Sequence, residues 1–134
     1  MLGLGNIWRI FGAGAVMSSE LILERIQRAR QNRPKYLVQM KQRQKDGLTV
    51  ARRCADILKR KFGVQKVVLF GSLLDHEQMS ERSDIDLAVS GLATARFWEA
   101  GALLEKDHDF DIDLVEIETA KPHILEAIKL GVEL

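Results

Sequence analysis

Apolar residues recur at spacings of three and four in several parts of the chain, which is the pattern of one buried helix face. The clearest example comprises Leu48, Ala51, Ala55, Leu58 and Phe62. This spacing predicts helices over residues 18–32, 48–62, 94–106 and 122–130.

Particular residues predict where the first two helices begin and end. Ser18 or Ser19 is placed to cap the first helix, and Pro34 is expected to end it. Asp46–Gly47 is expected to break the chain before the second helix, and Gly63 should stop that helix.

Three shorter stretches have the pattern of strands. Residues 64–70 form a continuous apolar run rich in β-branched side chains, which is typical of a buried strand. Residues 84–89 and 110–117 alternate between apolar and polar positions. From residue 48 the predicted order is helix, strand, strand, helix, strand, helix, so the fold class is α/β (α+β).

Composition limits the chain to one main domain. It has 134 residues, of which 46% are hydrophobic and 29% charged, so one hydrophobic core is expected and wholesale disorder is excluded. Residues 1–17 are glycine-rich and are interpreted as a flexible or cloning-derived extension, with a signal peptide as the alternative. Residues 18–46 are interpreted as a basic helical segment and residues 47–134 as the functional domain.

Charge is unevenly distributed, although the net charge is only +1. Residues 25–45 carry eight basic side chains and no acid, and residues 105–118 carry seven acids against one lysine. The basic run is either a solvated helix face, a surface for an acidic partner, or a contact to phosphates. Because Tyr36 is its only aromatic residue, base stacking is poorly supported and direct nucleic-acid binding is not expected.

The remaining chemistry-bearing residues exclude two classes of site. The single cysteine, Cys54, rules out a disulfide framework and is expected in the core, in keeping with a cytoplasmic protein. The histidines His76, His108 and His123 have no zinc-ligand spacing and are interpreted as surface residues. The apolar stretch at the start is too short to span a bilayer.

Aspartates at alternate positions mark the two alternating strands. Asp84 and Asp86 should face the same side of their strand, and so should Asp111 and Asp113. If these strands pair, three or four carboxylates gather on one sheet face, where they would repel each other without a cation. Carboxylate oxygens suit Mg²⁺ or Mn²⁺ rather than zinc.

A Gly-Ser pair follows the first predicted strand. Gly71 lets the backbone approach a phosphate closely, and the hydroxyl of Ser72 and the following N–H groups can bind phosphate oxygens. Such a pair is weak evidence alone, but it becomes specific shortly before an Asp-x-Asp strand.

These residues resemble the signature of the polymerase β-type nucleotidyltransferases. The match consists of Val68–Ser72, Ser83–Leu87 and the later Asp113–Val115, and it extends over about residues 48–134. Within that superfamily they resemble more closely the minimal nucleotidyltransferases (MNT) that act as antitoxins in prokaryotic toxin–antitoxin pairs. It implies a polymerase β-like fold, a small mixed sheet flanked by helices.

The resemblance also implies a role for each residue. Asp84, Asp86 and Asp113 would be the catalytic residues and would hold two Mg²⁺ ions, while Gly71 and Ser72 would bind the phosphates of ATP. Asp113 matches the third carboxylate position better than Asp111, which is expected to be exposed or to lie behind the ligands.

Two departures from the family pattern fall in the loop after Ser72. Eleven residues separate Ser72 from Asp84, one more than usual, and Leu73–Leu74 stands where the family often has an arginine. Arg82 is the candidate for a positive charge near the phosphates.

The function implied by the resemblance is that of an antitoxin which binds a helical toxin of the HEPN class and transfers AMP from ATP to it. One alternative is a catalytically inactive binding module with the same fold. Another is a free-standing nucleotidyltransferase acting on a small hydroxylated molecule. Oligomerisation is compatible with each.

Overall fold

The computed structural model describes residues 18–134. They fall into two compact units, one reaching to Tyr36 and the other formed by Leu37–Leu134. The predicted extension, residues 1–17, lies outside the described residues. Among the helices of residues 18–134, none combines the length and the apolar character that a membrane crossing requires.

The first helix, α1, runs over Ser19–Phe62 without interruption. Its start was predicted correctly, because the Ser18 hydroxyl accepts a hydrogen bond from the Leu21 N–H at 3.2 Å. Its end was also predicted correctly, because Gly63 follows with a φ of 65°.

The two predicted interruptions of α1 are wrong. Pro34 lies inside the helix, where the surrounding side chains are exposed and the carbonyl left without its usual N–H partner can bind water. Gly47 is also helical and is buried, and a Cβ there would lie 2.6 Å from Cδ1 of Leu73. This glycine therefore permits close packing rather than a chain break.

Four strands form one mixed sheet. They are β1 (Lys66–Phe70), β2 (Ile85–Ser90), β3 (Ile112–Glu116) and β4 (Val132–Glu133). Their order across the sheet is β3-β2-β1-β4. Strand β1 pairs antiparallel with β2 and β4, and β2 pairs parallel with β3. The three predicted strands are present, each starting one or two residues later than expected, while the two-residue β4 was not predicted.

Two further helices complete the fold, α2 (Phe97–Leu104) and α3 (Pro122–Lys129). The predicted helix 94–106 begins as a separate 3-10 turn, Thr94–Arg96, before α2. Two other 3-10 turns, Ser72–Leu74 and Ile117–Thr119, follow β1 and β3.

The helices cover the two faces of the sheet. On one face α3 supplies Ile128, which packs with Val68, Phe70 and Ala88. The side chains of the other face are almost fully buried; they are Val67, Leu69, Ile85, Leu87 and Val89. The buried Cys54 of α1 lies against α2, with its sulfur 3.7 Å from the carbonyl oxygen of Leu104.

Candidate functional site

The strand register brings Asp86 of β2 beside Asp113 of β3. The two residues are direct partners in the parallel ladder, and Asp86 is also the partner of Phe70 across β1. Side chains alternate along a strand and neighbouring strands lie about 4.8 Å apart, so both carboxyl groups project from one face at short range. The pairing of the two Asp-x-Asp strands on which a carboxylate cluster depends is therefore present.

The electrostatics of this pair favour a shared proton in the absence of a cation. The pKa of Asp86 is raised from 3.8 to about 6, first by burial and then by the nearby charge of Asp113, a hydrogen bond to Asp113 and the charge of Asp84. The protonated Asp86 carboxyl can thus donate to the Asp113 carboxylate. A divalent cation would take the place of that proton.

Asp84 lies at the margin of the pair. It is exposed and precedes the first residue of β2, yet its charge reaches Asp86. In the part of the chain that the structure describes, no three histidine, cysteine, aspartate or glutamate side chains already form a ligand set for a metal ion. The structure therefore brings Asp86 and Asp113 together and leaves Asp84 within electrostatic range.

Gly71 lies directly beside the Asp86 carboxyl group. Its backbone has φ 83° and ψ −158°, a region open essentially to glycine alone. A Cβ at this position would lie 2.1 Å from Oδ2 of Asp86. The turn after β1 thus reaches the carboxyl group only because residue 71 has no side chain, and Ser72 begins the following 3-10 turn.

Two α1 residues that the sequence did not single out hold the loop of this site. The side-chain amide of Gln44 donates to the carbonyl of Leu73 at 2.8 Å, and the Arg43 guanidinium donates to the carbonyl of Ser83 at 3.3 Å. Arg43 also lies over the Phe110 ring, 4.3 Å from its centre. Of the three alternatives for the basic run, a face that is solvated throughout is therefore wrong at Arg43. The spacing of Arg43 from the buried Met40 and Gly47 was the signal in the sequence.

The other residues proposed near the phosphates and the metal are exposed. Arg82 lies in the turn closed by the Ser80 N–H and the Ser83 hydroxyl, which are 2.8 Å apart. Asp111 is exposed as expected, and its backbone carbonyl accepts the Ile85 N–H at 2.9 Å. Asp111 therefore contributes to the strand pairing through its backbone.

The side chains of Cys54 and His108 make contacts within the fold. Cys54 is buried, as expected, and burial raises the pKa of its thiol to about 11, with Arg53 opposing the shift. His76 and His108 are not the surface residues predicted, because both are half-buried, whereas His123 is exposed. The Nδ1 of His108 accepts the Phe110 N–H at 3.1 Å. Its other ring nitrogen contacts the Leu104 carbonyl, so both nitrogens are used within the fold.

The oxygen donors of the site fit a hard divalent cation. Asp86 and Asp113 offer carboxylate oxygens only, the ligands that Mg²⁺ prefers, and Asp84 adds a third carboxylate nearby. A half-buried carboxyl beside a like charge is stabilised by a positive ion. Because Gly71 has no side chain, the backbone of the turn can lie directly beside the Asp86 carboxyl group.

The mixed sheet and the carboxylate pair beside a Gly-Ser turn define the class of nucleotidyltransferase-type α/β domains. A family model described as polymerase beta, nucleotidyltransferase, matches residues 52–134. The chain therefore belongs to the polymerase β nucleotidyltransferase family, and the fold implied by the sequence resemblance is confirmed.

Solved structures similar to this chain are toxin–antitoxin complexes. A toxin–antitoxin complex with AMP-PNP has a TM-score of 0.50 at 28% identity, covering 60% of this chain and 69% of that one. A mutant MntA–HepT complex has a TM-score of 0.51 at 28% identity, covering 62% and 69%.

A third similar structure shows likeness of fold alone. It is a tri-AMPylated Shewanella oneidensis HEPN toxin in complex with an MNT antitoxin, with a TM-score of 0.50 at 24% identity, covering 65% of this chain and 70% of that one. No curated protein matches the chain significantly in sequence.

Proposed function

We propose that this chain is a Mg²⁺-dependent adenylyltransferase that acts in the cytoplasm as an antitoxin, binding a HEPN-type toxin and transferring AMP from ATP to it. The observation that carries the proposal is the close approach of Gly71 to the Asp86 carboxyl group, which lies in register with Asp113. The partner and the nucleotide are supported by the similar toxin–antitoxin complexes, one of which contains AMP-PNP.

The residues of the site have distinct proposed roles. Asp84, Asp86 and Asp113 would hold two Mg²⁺ ions, which when bound offset the charge on the attacking and leaving oxygens. The backbone N–H groups after Gly71 and the hydroxyl of Ser72 would seat the β- and γ-phosphates. The exposed Arg82 would add positive charge on the phosphate side.

The reaction balances without any further reactant. An oxygen of the acceptor hydroxyl forms a bond to the α-phosphorus of ATP, and the bond from that phosphorus to pyrophosphate breaks. The hydroxyl proton passes to the Asp113 carboxylate. The site thus acts by holding the two reactants in line and by neutralising charge.

Adenylate labelling tests the proposal directly. The full chain is incubated with labelled ATP, Mg²⁺ and the HEPN-type protein encoded by the adjacent gene, and label on that protein is measured. We expect Asp86→Asn and Asp113→Asn to lower the labelling rate by about 100-fold or more, because each removes a charge needed in the transition state.

The matched control is Asp109→Asn, which removes an exposed carboxylate from the same acidic segment. It should label the toxin at the wild-type rate. Equal labelling by wild type, Asp86→Asn and Asp113→Asn would contradict the assignment of the site.

Calorimetry with ATP and Mg²⁺ separates a transferase from a binding module of the same fold. A transferase binds the nucleotide in the presence of Mg²⁺, and Asp86→Asn weakens that binding. A wild-type chain that binds the toxin but neither binds ATP nor labels the toxin would be the inactive module, and the transferase proposal would fail.

A further inference from the structure

Strand β3 has an open edge. It is the first strand of the order β3-β2-β1-β4, so one side of it has no strand partner within residues 18–134. Its ladder to β2 begins with the Ile85 N–H donating to the Asp111 carbonyl, and Ile85 is in register with Ile112. With this alternation the backbone N–H and C=O groups of Ile112 and Leu114 point away from β2, towards the open edge.

A groove of ≈ 540 Å³ lies beside this open edge. We call it the edge groove; the residues that define it are Phe97, Trp98, Ala102, Ile112, Asp113 and Leu114. Its floor is apolar and its lining includes the proposed catalytic carboxylate residue. The edge groove and the candidate site therefore share Asp113 on β3.

Trp98 is the most conspicuous side chain of the edge groove. It is 83% exposed, and its ring stands edge-on to the Phe97 ring with centroids 5.4 Å apart. Trp98 also lines a second hollow of ≈ 280 Å³, and Glu116 is another of the residues that line it. A large, positioned and exposed aromatic ring of this kind is typical of the residues that dominate binding at protein interfaces.

On the basis of the transferase function proposed above, we infer that the acceptor polypeptide binds as an extended segment added to the open edge of β3, with its side chains in the edge groove. Only a polypeptide backbone supplies the alternating donors and acceptors that Ile112 and Leu114 present. The occupant is thus an extended segment of the partner protein rather than a nucleic acid or a small hydroxylated molecule.

Strand alternation explains how such a segment presents its hydroxyl. The residue paired with Asp113 projects from the same sheet face as Asp113, with Cβ atoms about 5 Å apart, so a hydroxyl-bearing side chain there meets the carboxylate. The residues before and after it project from the opposite face, into the edge groove against Phe97 and Trp98. We therefore expect three consecutive residues in the acceptor segment: an apolar residue, a residue with a side-chain hydroxyl, and a second apolar residue.

Charge around the groove adds a further requirement. Glu105 lines the edge groove and Glu116 lines the second hollow, and Trp98 borders both. A lysine or arginine next to the apolar positions would pair with these carboxylates and lie against the Trp98 ring. The acceptor segment is therefore basic outside its alternating core.

Amide hydrogen exchange tests the strand addition at single residues. The full chain is compared alone and in complex with the HEPN-type protein, AMP-PNP and Mg²⁺. We expect the amides of Ile112 and Leu114 to exchange at least tenfold more slowly in the complex, because they gain partners. The amides of Asp113 and Val115 already bond to β2 and should change less.

Unchanged exchange at Ile112 and Leu114 in the formed complex would overturn the inference. The inference would also be overturned if these amides are already protected in the protein alone at high concentration and exchange faster on dilution. A second copy of the chain would then occupy the edge.

Two groove variants test the side-chain contacts. Trp98→Ala and Ala102→Arg should raise the KM for the toxin at least tenfold without changing ATP binding, because both positions lie at the surface and outside the nucleotide site. The matched control is Leu130→Ala, since Leu130 is equally exposed at 84% but follows α3.

The two proposals fail in different ways. If the wild-type chain labels the toxin and both groove variants label it with unchanged KM, the edge groove is not the acceptor site and the transferase function stands. If the wild-type chain neither binds ATP nor labels the toxin, the transferase function fails, and the acceptor assignment fails with it.

Discussion

The two faces of the sheet come from the same strands and differ in what they bury. One face is apolar over its whole length; its residues are Val67, Leu69, Ile85, Leu87 and Val89. The other face is apolar where α3 covers it, at Val68 and Ala88, and becomes polar at Asp86 and Asp113. On β2, the side chain of Leu87 therefore stabilises the fold on one face, while its neighbour Asp86 carries the proposed chemistry on the other.

This difference explains how the fold tolerates two carboxyl groups at close range. Burial of Asp86 and its closeness to Asp113 raise the pKa of Asp86, which is a free-energy cost to the ionised protein. Burial of the opposite face offsets that cost. Substitutions on the two faces should therefore have separable effects, and the following predictions test this separation.

The largest expected effect is on the apolar face. Leu87→Ala removes a fully buried side chain, so we expect the free energy of unfolding to fall by about 2–5 kcal/mol. The measurement is urea denaturation followed by circular dichroism. Val132→Ala, at a half-exposed position of β4, should change the free energy of unfolding by less than about 0.5 kcal/mol. Similar losses in the two variants would remove the contrast between buried and exposed sheet positions.

The next effect is at the turn that meets the polar face. Gly71→Ala places a methyl group against Oδ2 of Asp86 in a backbone region that alanine rarely adopts. We expect a loss of about 1–3 kcal/mol in stability and, since the Asp86 carboxyl must move, a loss of toxin labelling in the folded fraction.

Gly63→Ala is the matched control for Gly71→Ala. Gly63 also has a positive φ, at 65°, but a Cβ there would meet nothing within 4 Å. It should therefore cost stability without affecting labelling. Full labelling by folded Gly71→Ala would show that the turn is not coupled to the carboxyl pair.

The smallest effect is the pH dependence of the carboxyl pair. Because folding raises the pKa of Asp86 to about 6, the protonated form is stabilised below pH 4, and this stability is lost as the pH rises through 6. Asp86→Asn should therefore gain about 1 kcal/mol over wild type between pH 4 and pH 7, after allowance for solvent screening. Thermal unfolding in metal-free buffer at both pH values measures this gain.

Asp109→Asn provides the comparison for this pH dependence, because it removes an exposed carboxyl outside the pair. Its stability difference from wild type should change less between the two pH values. If the difference between Asp86→Asn and wild type is the same at pH 4 and pH 7, then Asp86 does not carry a raised pKa.

Several features were predictable because they depend on local pattern. Alternation assigned Asp86 and Leu87 to opposite faces of β2, and spacing assigned Cys54 and Leu58 to the buried side of α1. Gly63 stopped α1 as a residue with positive φ should. These are short-range consequences of strand and helix geometry.

Other features were not predictable because they depend on partners distant in sequence. Gly47 resembles a chain break until Leu73 is seen packed against it, and Arg43 resembles a solvated charge until its hydrogen bond to Ser83 is seen. The two-residue β4 has too little pattern of its own, and it forms by pairing with β1.

The sequence by itself determined the residue types of the candidate site, their alternation along β2 and β3, and the glycine and serine after β1, because each is a local property of the chain. Only the tertiary structure decided that Asp86 lies in register with Asp113, that Gly71 is in contact range of the Asp86 carboxyl, and that β3 is the open edge. Those relations depend on strand order and packing between distant segments, which local pattern does not specify.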